Sequence, residues 1–197
     1  MTGGLEGPGP NERPHPEGRR NAQGIRIDPA AEAEVPQERA VLSALVEHEP
    51  GVLAKVSGLF SRRQFNIESL SVGPTEDEAY ARITMVIEEP TTGVEQAKKQ
   101  LEKLIPVVSV VELDGEDAVA RELAVVKVGA DNPDEVQAVA EMHDGKVVDM
   151  SPETITVELT GPERDIDAAL ETFERFTVRE VVRTGTAALA RGPQETR

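Results

Sequence analysis

Apolar residues between Leu45 and Val72 follow a strand–helix–strand pattern. An apolar run stops at Glu49-Pro50-Gly51, and helical spacing then places apolar side chains on one face, at Val52, Leu53, Val56, Leu59 and Phe60. The pattern predicts a helix with Pro50 in its first turn, where the missing N–H of proline would be unpaired in any case. Gly51 removes a Cβ where the strand gives way to the helix. The first N–H groups of this helix are therefore predicted to be open to a carboxylate.

Asn66 follows the predicted helix, on the loop that leads into the next strand. Its side-chain amide is placed to add a directional hydrogen bond to the same pocket. The residues alone leave two interpretations open. One is a carboxylate-binding helix N-terminus, and the other is a tight strand–helix turn followed by a capping Asn.

The patterns along the rest of the chain predict two units with the same order of elements. Residues 39–114 have a β-α-β-β-α-β pattern, with a second helix over Gly93–Ile105 that ends at Pro106. Residues 115–121 form a short charged connector, and the order then repeats up to about Thr184. The prediction is an α+β fold of two ferredoxin-like βαββαβ domains, at 39–114 and 120–192.

Composition narrows the possible classes of protein. The 197 residues include no Cys, which excludes disulfides and thiolate metal sites. The net charge of −16 and the 3% aromatic content disfavour nucleic acid as a partner. The sequence has neither an apolar run long enough to span a membrane nor a signal-peptide pattern, so a cytoplasmic protein is expected. Residues 1–38 are rich in Gly, Pro, Glu, Asn and Arg, which predicts a disordered tail.

The acidic residues are spread along the whole chain, which suggests a surface suited to high salt. Halophilic origin is a hypothesis that unfolding measured against KCl would test. Catalytic groupings are hard to find, because His15, His48 and His143 are far apart in sequence. The sequence shows no metal-ligand spacing, phosphate-binding Gly loop or dinucleotide fingerprint.

Residues 49–75 read E-P-G-V-L-A-K-V-S-G-L-F-S-R-R-Q-F-N-I-E-S-L-S-V-G-P-T. This run resembles the start of an ACT domain, and N-I-E-S-L-S-V resembles the small regulatory subunits of acetohydroxyacid synthase (acetolactate synthase). The ending R-T-G-T-A-A-L-A-R-G, residues 183–192, is similar to the end of the same family. The resemblance covers about Arg39 to Gly192. From the residues alone, this ending is either a frayed terminus or a segment that docks on a partner.

The resemblance implies an N-terminal ACT domain, a C-terminal small-subunit domain and a regulatory function. By this resemblance, the chain is not an enzyme: it activates a large catalytic subunit and confers feedback inhibition by valine in branched-chain amino acid biosynthesis. Thiamine diphosphate, Mg²⁺ and flavin (FAD) then belong to that partner, and this chain holds no cofactor. ACT domains pair side by side, so a homodimer is implied.

The resemblance also implies an effector site. The N–H groups of Gly51, Val52 and Leu53 would receive the carboxylate of valine, and Asn66 would hold a charged group of valine from the same or the neighbouring chain. Leu53 and Ile67 would line its apolar side. His48 lies beside this pocket, either in contact with the ligand or as a solvated residue at a strand end.

Gln64 departs from the family pattern, which commonly has Gly there, so the local loop is expected to differ from that pattern. Two rival functions remain from the sequence. A stand-alone amino-acid-sensing ACT protein would account for Gly51 and Asn66 but not for the family-specific runs. A small enzyme on a ferredoxin-like scaffold would need a catalytic constellation that the sequence does not show.

Overall fold

The computed structural model of the chain describes residues 37–113, 117–193, 195 and 196. The predicted disordered tail lies outside the described residues, except for residues 37 and 38, and the first strand begins at Glu38. Among the described residues, no helix is long and apolar enough to cross a membrane. Residues 37–197 belong to one compact unit, so the predicted division into domains at 39–114 and 120–192 stays a prediction.

The first half has the predicted β-α-β-β-α-β order. Its elements are β1 (Glu38–Glu47), α1 (Val52–Arg63), β2 (Ile67–Pro74), β3 (Tyr80–Glu89), α2 (Thr91–Leu101) and β4 (Val107–Leu113). The strands form one antiparallel-paired sheet in the order β2-β3-β1-β4. Alternate strand residues face the two helices because successive side chains in a strand point to opposite sides. The resulting core includes Leu42, Ala44, Ile83, Met85, Ile87, Val56, Phe60, Val94 and Leu101.

The second half repeats this arrangement and adds one strand. Its elements are β5 (Ala118–Gly129), α3 (Pro133–Met142), β6 (Lys146–Met150), β7 (Thr154–Gly161), α4 (Glu163–Phe173), β8 (Val178–Arg183) and β9 (Ala187–Ala190). Its sheet has the order β6-β7-β5-β8. A separate core includes Ala124, Val126, Val128, Val136, Val139, Ile155, Val157, Leu159, Ile166 and Phe173. The predicted α+β fold with two ferredoxin-like units is therefore confirmed.

Three predicted helix boundaries were wrong, one of them the start of α2, which lies at Thr91 rather than at Gly93. Helix α1 begins at Val52, so Pro50 precedes the helix and is not part of its first turn. Helix α2 ends at Leu101, with Glu102 as its C-cap, because the N–H groups of Lys103 and Leu104 bond three residues back, to Gln100 and Leu101. Ile105, predicted to end this helix, is 95% exposed. Tight turns rather than Pro106 therefore end α2.

Residues 118–121 of the predicted connector and residues 187–190 of the C-terminal segment form strands instead. Residues 118–121 pair with residues 187–190, so β9 and the first part of β5 make a two-stranded ribbon. The small side chains of Ala118 and Ala188 are buried with Leu113 against the sheet face that carries no helices, next to Val41 and Val111. The segment is therefore neither a frayed terminus nor a connector. It covers part of the outer face of the first sheet.

Candidate functional site: two ends of one helix

The β1–α1 turn is fixed by main-chain hydrogen bonds on both sides. The N–H of Glu47 donates to the carbonyl of Pro106 at 2.9 Å, and the N–H of His48 donates to the carbonyl of Ala79 at 2.8 Å. Gly51 then adopts a φ of 86°, in the left-handed region. A residue with a Cβ is strained there, so glycine is needed at this position for its backbone conformation.

The N-terminus of α1 is open, as predicted. No side chain caps it, and Gly51 lies in open space on the surface. The N–H of Val52 makes a long bond of 3.4 Å to the carbonyl of Glu49, whereas the N–H groups of Gly51 and Leu53 have no partner among the described residues. The side chain of Val52 is buried in the core, so only its main chain faces this site. Leu53 is 42% exposed and is the apolar side chain available beside the open N–H groups.

The C-terminus of the same helix positions Asn66. Gln64 has a φ of 60°, and its N–H and that of Phe65 both donate to the carbonyl of Phe60. This left-handed turn explains why glycine is suited to position 64, and Gln64 adopts the same geometry with some strain. Phe65 packs edge-on against Phe60 with ring centres 5.6 Å apart. Asn66 is exposed, and its side-chain amide has no partner among the described residues.

The structure separates the predicted site residues into two groups. Across β3, Ile67 is level with Ala40 at the start of β1, because both pair with Ile87. Gly51 follows the other end of β1. The distance along seven strand residues is about 23 Å, and a 12-residue helix such as α1 spans about 18 Å. His48, Gly51, Val52 and Leu53 therefore lie at one end of the sheet, and Asn66 and Ile67 lie at the opposite end.

The side chain of His48 contacts the loop between β2 and β3. Its Nδ1 lies 3.3 Å from the carbonyl of Glu78, on the surface beside the turn. Within residues 37–113 and 117–193 and the two further described residues, no three metal-ligating side chains lie close enough together to hold a metal ion.

The sequence did not reveal a polar network around Arg183 within the second half, or a separate ion pair that joins the two halves. Arg183 donates from Nε and Nη2 to both carboxylate oxygens of Glu122, at 2.7 and 2.8 Å, and from Nη1 to Asp167 at 2.7 Å. The two hydrogen bonds to Glu122, with the single one to Asp167, hold the pKa of Arg183 above its ordinary value in spite of partial burial. Arg39 in β1 pairs with Glu163 at the start of α4 and with Glu68 in β2.

Two serines of β2 bind the segment before β9. The N–H of Thr186 donates to Ser69 Oγ at 2.8 Å, and Ser71 Oγ donates to the carbonyl of Thr186 at 3.0 Å. Gly185 has a φ of 78°, and a Cβ there would lie 2.6 Å from Ser69 Oγ. The T-G-T of the C-terminal motif therefore binds this chain's own first sheet, a contact for which the sequence carries only the unusual glycine as a signal.

The fold and the open helix N-terminus place the chain in the class of ACT-type α+β proteins. A family profile described as "AHAS small subunit-like ACT domain" matches residues 42–109, and one described as "Small subunit of acetolactate synthase" matches residues 121–192. The chain is 48% identical to the acetolactate synthase small subunit of Mycobacterium bovis over 155 residues, which are 78% of this chain and 92% of that protein.

Two further similarities agree with this class. The probable acetolactate synthase small subunit of Methanothermobacter thermautotrophicus is 43% identical over 162 residues, covering 81% of this chain and 96% of that protein. The crystal structure of the small subunit from Thermotoga maritima superposes with a TM-score of 0.75 at 35% identity, covering 80% and 99% of the two chains. The chain belongs to the family of acetolactate synthase small subunits.

Proposed function

We propose that this chain is the non-catalytic regulatory subunit of acetohydroxyacid synthase, and that it activates the large catalytic subunit and confers feedback inhibition by valine. The observation that carries the proposal is membership of the small-subunit family over most of the chain. A ligand shifts an equilibrium only by its differential affinity for two states, so valine must bind the inhibited state more tightly.

The valine site proposed here lies between two copies of the chain. The open N–H groups at Gly51 and Leu53 suit a carboxylate, and the free amide of Asn66 suits a charged group of the ligand. These groups lie about 20 Å apart within one chain, a distance estimated from the helix rise, and valine is far too small to bridge it. A second copy is therefore needed to complete the site.

Pairing through β2 would bring the two groups together. Strand β2 is an edge of its sheet, and it has no fully buried residue. A two-fold axis that joins two β2 edges runs the strands antiparallel, which sets the start of one β2 beside the end of the other. Asn66 and Ile67 of one copy would then approach Gly51 and Leu53 of its partner.

Reconstitution with the catalytic subunit tests the function. The isolated chain is expected to consume no pyruvate, to raise acetolactate formation when added to the large subunit, and to make that activity sensitive to valine. Pyruvate consumption by the chain alone would contradict the non-catalytic assignment. An unchanged rate on mixing, with complex formation verified by size-exclusion chromatography, would contradict activation.

Mixing two variants tests whether the site lies between copies. In a dimer of one Gly51→Asp copy and one Asn66→Ala copy, one site carries both changes and the other is intact. Random pairing makes about half of the dimers mixed, so calorimetry near the wild-type Kd should recover about a quarter of the wild-type valine sites. If no valine sites are recovered, Gly51 and Asn66 do not combine across two chains, which would contradict a site between copies.

Gly51→Asn is the matched control for Gly51→Asp. Both side chains have the same shape, and both tolerate left-handed backbone better than most. Only Asp places a negative charge where the carboxylate of valine approaches the helix. We expect Asp to weaken valine binding by a much larger factor than Asn, and equal losses would assign the effect to backbone strain.

A further inference from the structure

A cavity of about 590 Å³ lies on the outer face of the first sheet, between the β2–β3 hairpin and β9. Its volume is within the range of small-molecule sites, about 300–1,000 Å³. The cavity is at the face opposite to α1, so it shares none of the residues proposed to bind valine above. Both polar and apolar groups line it.

The floor of this cavity holds the guanidinium of Arg82, which makes no close ion pair with a described residue. Arg82 projects from β3, is partly buried, and donates from Nη1 to Ser43 Oγ at 2.9 Å. Within the described parts of the chain, no carboxylate oxygen lies within 4.0 Å of its guanidinium. Burial lowers the pKa of Arg82 from its ordinary value, and the nearby charge of Glu76 opposes that shift. The guanidinium therefore has room for an added carboxylate.

The main chain of Ala188 adds a donor and an acceptor. The N–H of Arg191 bonds to the carbonyl of Asp117, so residues 189 and 187 also bond towards β5, and residues 186, 188 and 190 point away from it. Thr186 is bound to the serines of β2, and the N–H of Ala190 donates to Thr196 Oγ1 at 2.9 Å. Ala188, which lines the cavity, has no such partner among the described residues.

These occupied neighbours limit what can bind. A peptide strand that extended the ribbon would need the outward groups of residues 186 and 190 as well, and both are already in use. Only the outward N–H and carbonyl of Ala188 remain available to pair with a ligand. That is the pairing which a single amino acid, with one donor and one acceptor end, can complete.

The remaining walls favour a ligand with an aliphatic part. Val119 and Leu189 face each other in register across the ribbon, both line the cavity, and both are exposed. Pro74 and Glu76 line the same cavity. An ammonium group is the natural partner for Glu76 and for the carbonyl of Ala188.

From this arrangement we infer that the cavity is a second ligand site, which binds a single aliphatic α-amino acid as its zwitterion. The carboxylate of the ligand pairs with Arg82 and the N–H of Ala188. Its ammonium group faces Glu76 and the carbonyl of Ala188, and its side chain contacts Val119 and Leu189. The inference does not rest on the valine site between copies.

Methyl-resolved NMR of the full chain, with L-leucine as the probe, tests the inference. Methyl signals of Val119 and Leu189 should shift and saturate with leucine, whereas Leu53 and Ile67 report on the site proposed between copies. Movement of Leu53 alone would overturn the second site and leave the proposed function standing. No movement of Val119 and Leu189 up to ~10 mM leucine would also overturn it.

Variants and truncated ligands identify the contacts. Arg82→Gln keeps a donor for Ser43 and should weaken leucine binding about 10- to 100-fold, the loss expected for a charge-assisted hydrogen bond. Arg164→Gln changes the net charge equally on a distant exposed side chain and should have no effect. If Arg82→Gln fails to fold, Glu76→Gln on the exposed hairpin provides a second test. It should weaken leucine binding at least severalfold.

Two analogues of leucine separate the charges. The carboxylate analogue 4-methylpentanoate lacks the ammonium group, and 3-methylbutylamine lacks the carboxylate. Each should bind at least about tenfold more weakly than leucine. Equal binding of either analogue would overturn the zwitterion assignment.

Discussion

Replacing Arg183 tests the polar network that ties β8 to β5. Glu122 is only 4% exposed and accepts two hydrogen bonds from Arg183, so Arg183→Met leaves a buried carboxylate without its cation. Breaking a buried pair in this way costs about 3–5 kcal/mol. Arg183 itself is 32% exposed, and water partly reaches the vacated space, so the lower end applies, about 3 kcal/mol.

The assay is thermal and urea unfolding followed by circular dichroism at one fixed protein concentration. For a chain of this size, a loss of about 3 kcal/mol lowers Tm by about 6–12 °C. Arg164→Met is the control, because its pair with Asp165 is exposed and should be worth less than about 1 kcal/mol. The double variant Arg183→Met, Glu122→Leu removes both charges and should recover most of the loss.

Two results would refute this reasoning. A loss below about 1 kcal/mol for Arg183→Met would mean that the carboxylate of Glu122 does not depend on the guanidinium. A double variant no more stable than the single one would assign the loss to the packing of the arginine side chain rather than to an uncompensated charge.

Three further predictions concern single residues. Asn66→Ala should weaken valine binding by about 10- to 100-fold in calorimetry with little change in Tm, and a lowered Tm with unchanged affinity would make Asn66 a structural cap. Gln64→Gly should raise the free energy of unfolding by about 1 kcal/mol in urea, because it relieves the left-handed backbone; a loss of stability would contradict this. Gly185→Ala should lower the free energy of unfolding in urea more than Gly192→Ala does, since both positions have a positive φ but only a Cβ at position 185 meets Ser69. Equal losses would show that the contact with Ser69 does not contribute.

The sequence predicted the elements well where the pattern is local. Alternation in β3, with Ala81, Ile83, Met85 and Ile87 facing the core, appears in the structure as predicted. The open N-terminus of α1 was also predicted, although the helix begins at Val52 and the role of Gly51 is its positive φ. Local periodicity and turn chemistry are sufficient for such features.

The sequence could not predict the β5–β9 ribbon, because its pairing is not local. Residues 118–121 are about 70 positions from their partners at 187–190, a separation estimated from the register, and both segments are short and consist mainly of alanine, which is a weak strand former. Small residues at Ala118, Ala120, Ala188 and Ala190 alternate with larger ones, which is the weak signal that was available. The separation of Gly51 from Asn66 follows from the parallel placement of β1 and β2, which only the topology shows.

The ribbon also affects the order in which the chain can complete its fold during synthesis. Part of the outer face of the first sheet is covered by residues that the ribosome adds later, since Ala188 packs near Val41 and Val111. At ~5–20 residues per second, the roughly 80 residues between β4 and the end of β9 take about 4–16 s to appear. Throughout that interval β9 does not yet cover the apolar patch of Val41, Val111 and Leu113 on the nascent first half. This patch is therefore the part of the nascent first half to which a chaperone, or a neighbouring chain in a wrong contact, would bind first.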